Sequence, residues 1–223
     1  MSLTLLIATA GVAVVTAIAM RDHHAAVNAR RSLLDDCSDA LDRSLLTNGA
    51  DGFPQLSGSH RGRGVHIELL LDTMTIRRLP QLWLSTTLLD RSPGMPGLAI
   101  LVRPSGTEFY SLTSHFPCRF DAPPGFPEEV LIRGDEGAGR LLGELAATLA
   151  DILKDQRVKE IAITERGLRI VRQSAEGKRG EHLLLRQSVF EDARVKRTDV
   201  TRLLEQLHAM RAIVSAHLQV HAA

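Results

Sequence analysis

The stretch VHIELLLD, residues 65–72, decides the fold class, because Val65, Ile67, Leu69 and Leu71 alternate with His66, Glu68 and Asp72. Residues two apart share one face of a strand, so this is a strand with one side in a core. Before it, Gly58-Ser-His-Arg-Gly-Arg-Gly64 reads as a turn, making the strand the second arm of a hairpin that reverses near His60 to Gly64. After it, Leu82 to Leu89 lies between Pro80 and Ser92-Pro93-Gly94, and Gly97 to Val102 is ended by Pro104-Ser105-Gly106. Glu108 to Leu112 reads as a further short strand. Strands this short, at this spacing, predict a mostly antiparallel meander.

Further along, the prolines of Phe116 to Phe126 mark a surface loop, and Glu129 to Arg133 is a short strand. Asp135 stands as N-cap of a helix that carries Leu141, Leu142, Leu145, Leu149, Ile152 and Leu153 on one face. Val158 to Thr164 and Leu168 to Gln173 flank Glu165-Arg166-Gly167, a second hairpin. Leu183 to Phe190 leans to helix. Thr198 opens a long amphipathic helix in which Val200, Leu203, Leu204, Leu207, Met210, Val214 and Leu218 repeat at threes and fours. Together these make an α+β fold, a mostly antiparallel sheet with packed helices and a long C-terminal helix.

Upstream of the first hairpin the character changes. Leu3 to Met20, LTLLIATAGVAVVTAIAM, has no charged residue, and at about 1.5 Å per residue its length of roughly 27 Å approaches the hydrocarbon thickness of a bilayer. The expectation is an N-terminal transmembrane helix over 1–20. A cleavable signal peptide is the rival reading, with Ala17-Ile18-Ala19 as its site, but no Lys or Arg precedes the run. Arg21, Arg30 and Arg31 follow it, which by the positive-inside tendency places the C-terminal domain in the cytoplasm, on a single-pass protein of a bacterial inner membrane. Thr9, Ala13, Thr16 and Ala17 put small side chains on one face, a helix–helix interface for an integral-membrane partner. Residues 21–49 read as a helical stalk, its stripe of Leu33, Leu34, Cys37, Leu41 and Leu45 ending near Asn48-Gly49. Of that stripe, Leu34, Cys37 and Leu41 are the candidates for self-association into a homodimer. The remainder, 50–223, is one α+β domain.

Composition narrows the function classes. Lys and Arg together number 27 against 26 for Asp and Glu, so the excess positive charge of a nucleic-acid binder is missing. Two cysteines, Cys37 and Cys118, suit a reducing compartment and form no metal-type cluster. Among nine histidines, His217 and His221 have the i, i+4 spacing of a helical ligand pair but no third partner, which favours a solvated tail, and His60 and His66 lie across the glycine-rich turn without a ligand set. Gly58 to Gly64 is neither a P-loop nor a dinucleotide fingerprint. Gly134-Asp-Glu-Gly-Ala-Gly139 opens a helix but already carries two acids where an anion would sit. No Gly-x-Ser-x-Gly occurs, and Glu128-Glu129 would point to opposite faces of a strand. Trp83 reads as core, with contact to anionic lipid beside Arg77-Arg78 as the rival role. No catalytic, metal or cofactor site is expected.

Gly62-Arg63-Gly64-Val65, Arg78-Leu-Pro-Gln-Leu-Trp-Leu84 and Ile163-Thr-Glu-Arg-Gly-Leu-Arg-Ile170 resemble segments of bacterial proteins built from one N-terminal span and a small α+β domain, over about residues 53 to 175. The resemblance implies an architecture and no activity. The reading that follows is a non-catalytic, membrane-anchored accessory or assembly subunit of an inner-membrane complex. A dimeric tethered scaffold or signalling module, and a tethered enzyme with a site drawn from distant residues, are the alternatives.

Overall fold

The computed structural model describes residues 3–73, 79–177, 190 and 193–221, with the side chains of residues 3–10, 19, 22, 23, 26 and 221 outside the description. The first hairpin forms where the alternation and the turn demand it. Strands β2 (Pro54–His60) and β3 (Arg63–Asp72) are joined by Arg61 and Gly62, at φ 51° and 75°. Two successive left-handed residues match the twist of the strands they connect. β1 (Asp42–Asn48) precedes this hairpin, and β4 (Gln81–Leu89), β5 (Leu98–Val102), β6 (Cys118–Phe120), β7 (Val130–Gly134), β8 (Val158–Thr164) and β9 (Gly167–Glu176) complete a nine-stranded sheet. The strand order is β1-β2-β3-β4-β9-β8-β5-β7-β6, and every neighbouring pair is antiparallel. The α+β architecture with a large antiparallel sheet is as the sequence predicts.

One face of the sheet holds the core. Val65, Ile67 and Leu69 of β3, Leu82, Leu84 and Leu88 of β4, and Leu168 and Ile170 of β9 join one buried cluster with helices α2 (Ala138–Leu153) and α3 (Arg197–His221). α2 inserts Leu141, Leu142, Leu145, Leu149, Ile152 and Leu153; α3 inserts Val200, Leu203, Leu204, Leu207, Met210 and Val214. At about 25 cal/mol per Å² of apolar surface removed from water, this face is the main source of stability. The second face carries a smaller cluster of Trp83, Tyr110 and Val171 with Leu70 against it.

Several local expectations change. Asp135 is not the N-cap of α2, whose cap position is Gly137; its carboxylate instead accepts the Gly97 N–H at 2.6 Å. Glu108 to Leu112 is not a strand, because its groups are held by side chains and turns, as described below. β6 lies within the stretch read as loop. Of Leu183 to Phe190, read as helix, all but Phe190 falls outside the described residues, and Phe190 is in no helix.

The N-terminal helix α1 runs Leu3–Arg31. Among the described residues no helix is long and apolar enough to cross a membrane, and the side chains of residues 3–10, within the uncharged run, are outside them. The helical stalk expected over 21–49 stops at Arg31; a 3-10 helix follows over Asp35–Ala40, and Asp42–Asn48 is β1. Chain reversal is needed there because the segment turns back into the domain. The Arg30 guanidinium lies 5.7 Å from the Phe53 ring centroid, and Leu33 O accepts the Val195 N–H at 2.9 Å.

Candidate functional site

Of the helix–helix interface residues, Ala13, Thr16 and Ala17 are exposed on α1, and the Thr16 hydroxyl donates to the Val12 carbonyl at 2.8 Å, a bond a helix can make internally. The Thr9 side chain lies outside the described residues. Leu34 and Cys37 are fully buried and Leu41 nearly so, all three in the domain's main core. The Cys37 thiol donates to the Val195 carbonyl at 3.3 Å, and burial, then Asp36 and Asp199, pushes its pKa up to about 12. These three side chains are therefore spent on the chain's own fold. A second copy reaches them only if the domain opens.

The exposed surface in this region is β1 itself. Every residue of Asp42–Asn48 is exposed, Leu45 at 62% and Leu46 at 39%, and β1 ends the sheet with only β2 as neighbour. Among the described residues no strand pairs with its outer edge, and a row of such N–H and C=O groups beside exposed leucines is a template for another strand, which most sheets blunt. Here an irregularity between Asp42 and Leu45, with Arg43 at φ 51°, bends the start of the strand and leaves Leu45–Asn48 in regular pairing. The opposite edge, β6, is only 3 residues long. DRSLLTN gives no sign of this edge, since a strand exposed on both faces has no alternation to show.

Where the core face opens beside the start of α3, a cleft of about 900 Å³ is lined by Arg157, Arg172, Arg194, Lys196 and Arg202. Three carboxylates, Asp36, Glu176 and Asp199, share the lining. Arg172 from β9 is the buried member, its side chain 9% exposed; its Nε donates to Asp155 Oδ2 at 2.7 Å, and Nη2 is 3.8 Å from Asp199 Oδ1. Burial alone would raise the Asp155 pKa, but bonds from Arg172 and from the Arg157 N–H outweigh it and hold that pKa below its ordinary value. Arg194 and Asp36 pair at 3.4 Å on the rim, where both are more than half exposed and the pair adds little to stability.

The second face is polar where it meets residues 103–117. Glu160, fully buried, accepts from Ser111 Oγ at 2.6 Å and from the Leu112 N–H at 2.8 Å, and pairs with Arg169, which also donates to the Tyr110 carbonyl at 2.8 Å. One position earlier, Lys159 Nζ reaches Glu108 at 2.7 Å and the Arg103 carbonyl at 2.6 Å. Burial would raise the Glu108 pKa; the Lys159 and Ser105 bonds override it and hold that pKa at about 2. These groups fasten the loop over Trp83, whose ring centroid is 5.8 Å from that of Tyr110. Neither the Trp83 indole N–H nor the Tyr110 hydroxyl has a hydrogen-bond partner among the described residues, so packing holds the aromatic pair. Burial raises the Tyr110 pKa.

Farther along the same face, Ser57 Oγ and His66 Nδ1 are 3.0 Å apart, with Glu68 3.8 Å from His66 Nε2. Serine, imidazole and carboxylate in line invite comparison with a catalytic triad. Serine lies on Nδ1, however, and the carboxylate is beyond hydrogen-bond distance, so the base is not oriented as nucleophilic catalysis requires. The arrangement is a cross-strand contact of β2 and β3. His60 meets His208 of α3 rather than His66, at 2.9 Å between Nδ1 and Nε2. His217 is buried, with Nδ1 2.9 Å from Glu144, so it belongs to the α2–α3 contact and not to a solvated tail; the His221 side chain is outside the described residues. Among the described residues, no group of three or more His, Cys, Asp or Glu side chains is placed to hold a metal ion.

No family model matches the chain, and no curated protein matches it in sequence.

Proposed function

We propose that this chain is a membrane-tethered accessory or assembly subunit that binds another protein through the edge of β1. The observation that carries the reading is the exposed strand with Leu45 and Leu46 at its centre, separated by one short 3-10 helix from the helix that contains the uncharged run 3–20. Main-chain pairing at a free edge supplies affinity, and side-chain contacts along the added strand supply selection. The tether supports a specific occupant, an extended segment of an inner-membrane protein. With the run in a membrane, β1, which begins soon after α1, lies near the bilayer surface, and Arg21, Arg30 and Arg31 favour a domain on the cytoplasmic side. Within the bilayer, the face of Thr9, Ala13, Thr16 and Ala17 gives the same partner a second contact at close helix approach.

Extraction of the full chain in mild detergent, followed by native mass measurement, tests this. The expected species contains a second, membrane-spanning protein and is lost in the variant Leu45→Lys/Leu46→Lys, which leaves the core untouched. A monomer in the wild type refutes the subunit reading. A homodimer lost in the same variant favours the scaffold alternative, with β1 paired to its copy.

A further inference from the structure

We propose that the cleft beside the start of α3 binds a phosphate group. Five cations line it against three carboxylates, and those carboxylates do not cancel them one for one. Asp199 stands 3.8 Å from Arg172 and 4.0 Å from Arg202, too far for a hydrogen bond to either, and Asp36 is on the rim with Arg194. Among the described residues, Arg157 and Lys196 make no ion pair. Arg172 is the decisive side chain. Its guanidinium is buried and fixed through Nε by Asp155, while its terminal nitrogens make no hydrogen bond to a described residue. A guanidinium fixed in this way, with Asp199 3.8 Å from Nη2 and its terminal nitrogens without a hydrogen bond to a described residue, is preorganised for a tetrahedral oxyanion, because the rotamer cost is met in folding and the fork matches two oxygens.

A phosphate suits this lining better than a carboxylate. It offers three acceptor oxygens and close to two negative charges, so several cations converging from β9, from the turn before β8 and from the segment leading into α3 can engage it together. The space of about 900 Å³ exceeds the phosphate itself and accommodates an ester substituent. That substituent comes either from a soluble phosphate ester or from a phospholipid headgroup. Asp36 brings the cleft within a short arc of the end of α1, so the lipid source rests on the tether reading given above. The phosphate site does not.

The test uses the full chain in a neutral detergent, titrated with sodium pyrophosphate by calorimetry. Saturable binding is expected, weakened about tenfold or more in Arg157→Gln/Lys196→Gln, since each lost charge-assisted hydrogen bond to the phosphate lowers affinity by at least that factor, about 1.4 kcal/mol. Both substituted residues are exposed, and an unchanged melting curve shows that the variant remains folded. Absence of saturable binding, or equal affinity in the folded double variant, overturns the site. Repeating the titration in nanodiscs separates the sources. If phosphatidylglycerol discs lower the apparent pyrophosphate affinity relative to phosphatidylcholine discs in the wild type, and do so less in the double variant, headgroups occupy the cleft. Equal affinities in the two discs assign it to a soluble phosphate ester.

Discussion

Removing the Glu160 carboxylate should be among the most damaging single changes in the domain. Glu160 is 0% exposed and Arg169 18%, so Glu160→Ala leaves a mostly buried guanidinium without its counter-charge and the Leu112 N–H without its acceptor. Breaking one side of a buried pair typically costs about 3–5 kcal/mol; the residual exposure of Arg169 puts this case toward the lower end, about 3 kcal/mol. Against a domain stability of about 5–15 kcal/mol that is a large share. With a urea slope of about 2 kcal/mol per molar, the midpoint falls by about 1.5 M. The chain carries its own probe, since Trp83 is the sole tryptophan and sits against Tyr110 on the loop that Glu160 fastens. Urea unfolding of the detergent-solubilised chain, followed by Trp83 emission, reads the effect. The companion variant Glu160→Leu/Arg169→Leu removes both charges while keeping apolar bulk, and should recover at least half of the loss. A loss below about 1 kcal/mol for Glu160→Ala, or a double variant as unstable as the single one, would refute the claim that an uncompensated buried charge is the cause.

Three other outcomes follow. Cys37, buried with its pKa near 12, should stay inert to a disulfide reagent at pH 8 while Cys118 reacts, and both should react in denaturant; two reactive thiols in the native chain contradict the placement. His66 has its pKa raised above 6.5 chiefly by Glu68, and Glu68 has its own lowered by His66. Their contribution to stability is therefore complete between the ordinary values of the two groups, 4.5 for Glu68 and 6.5 for His66, is lost as pH rises from there through the folded pKa of His66, and is lost again as pH falls through that of Glu68. An NMR titration should give His66 a midpoint above 6.5 that drops in Glu68→Gln; no drop rules out the pair. Finally, Gly167 has φ +148° and an added Cβ would stand 2.2 Å from the Leu88 carbonyl oxygen, so Gly167→Ala should cost about 2–4 kcal/mol in thermal or urea unfolding. A neutral substitution there would mean that β4 and β9 separate freely.

What the sequence revealed of this fold depended on how each face is buried. β3 alternates because one side is core and the other half-buried, and Glu165-Arg166-Gly167 shows the turn because only glycine suits that backbone. The stripe of Leu34, Cys37 and Leu41 correctly marks burial but not conformation, since threes and fours also fit a 3-10 helix leading into a strand. β1 was illegible for the reason that makes it a candidate site, exposure on both sides. The cleft and the Glu160 network were illegible for another. Arg172 with Asp199 and Ser111 with Glu160 join positions far apart in the chain, and no local spacing records such meetings.

The contact between the two ends of the domain bears on the order of assembly. Leu33 and Cys37 both bond to Val195, across 158 residues in the case of Cys37. Synthesis delivers Cys37 158 residues before Val195, so the pocket for Cys37 cannot close until that length of chain has been made. Until then, Leu34, Cys37 and Leu41 lack the part of the core that this later segment completes. Their exposure during translation gives a chaperone or an early-binding partner a window that the finished protein has shut.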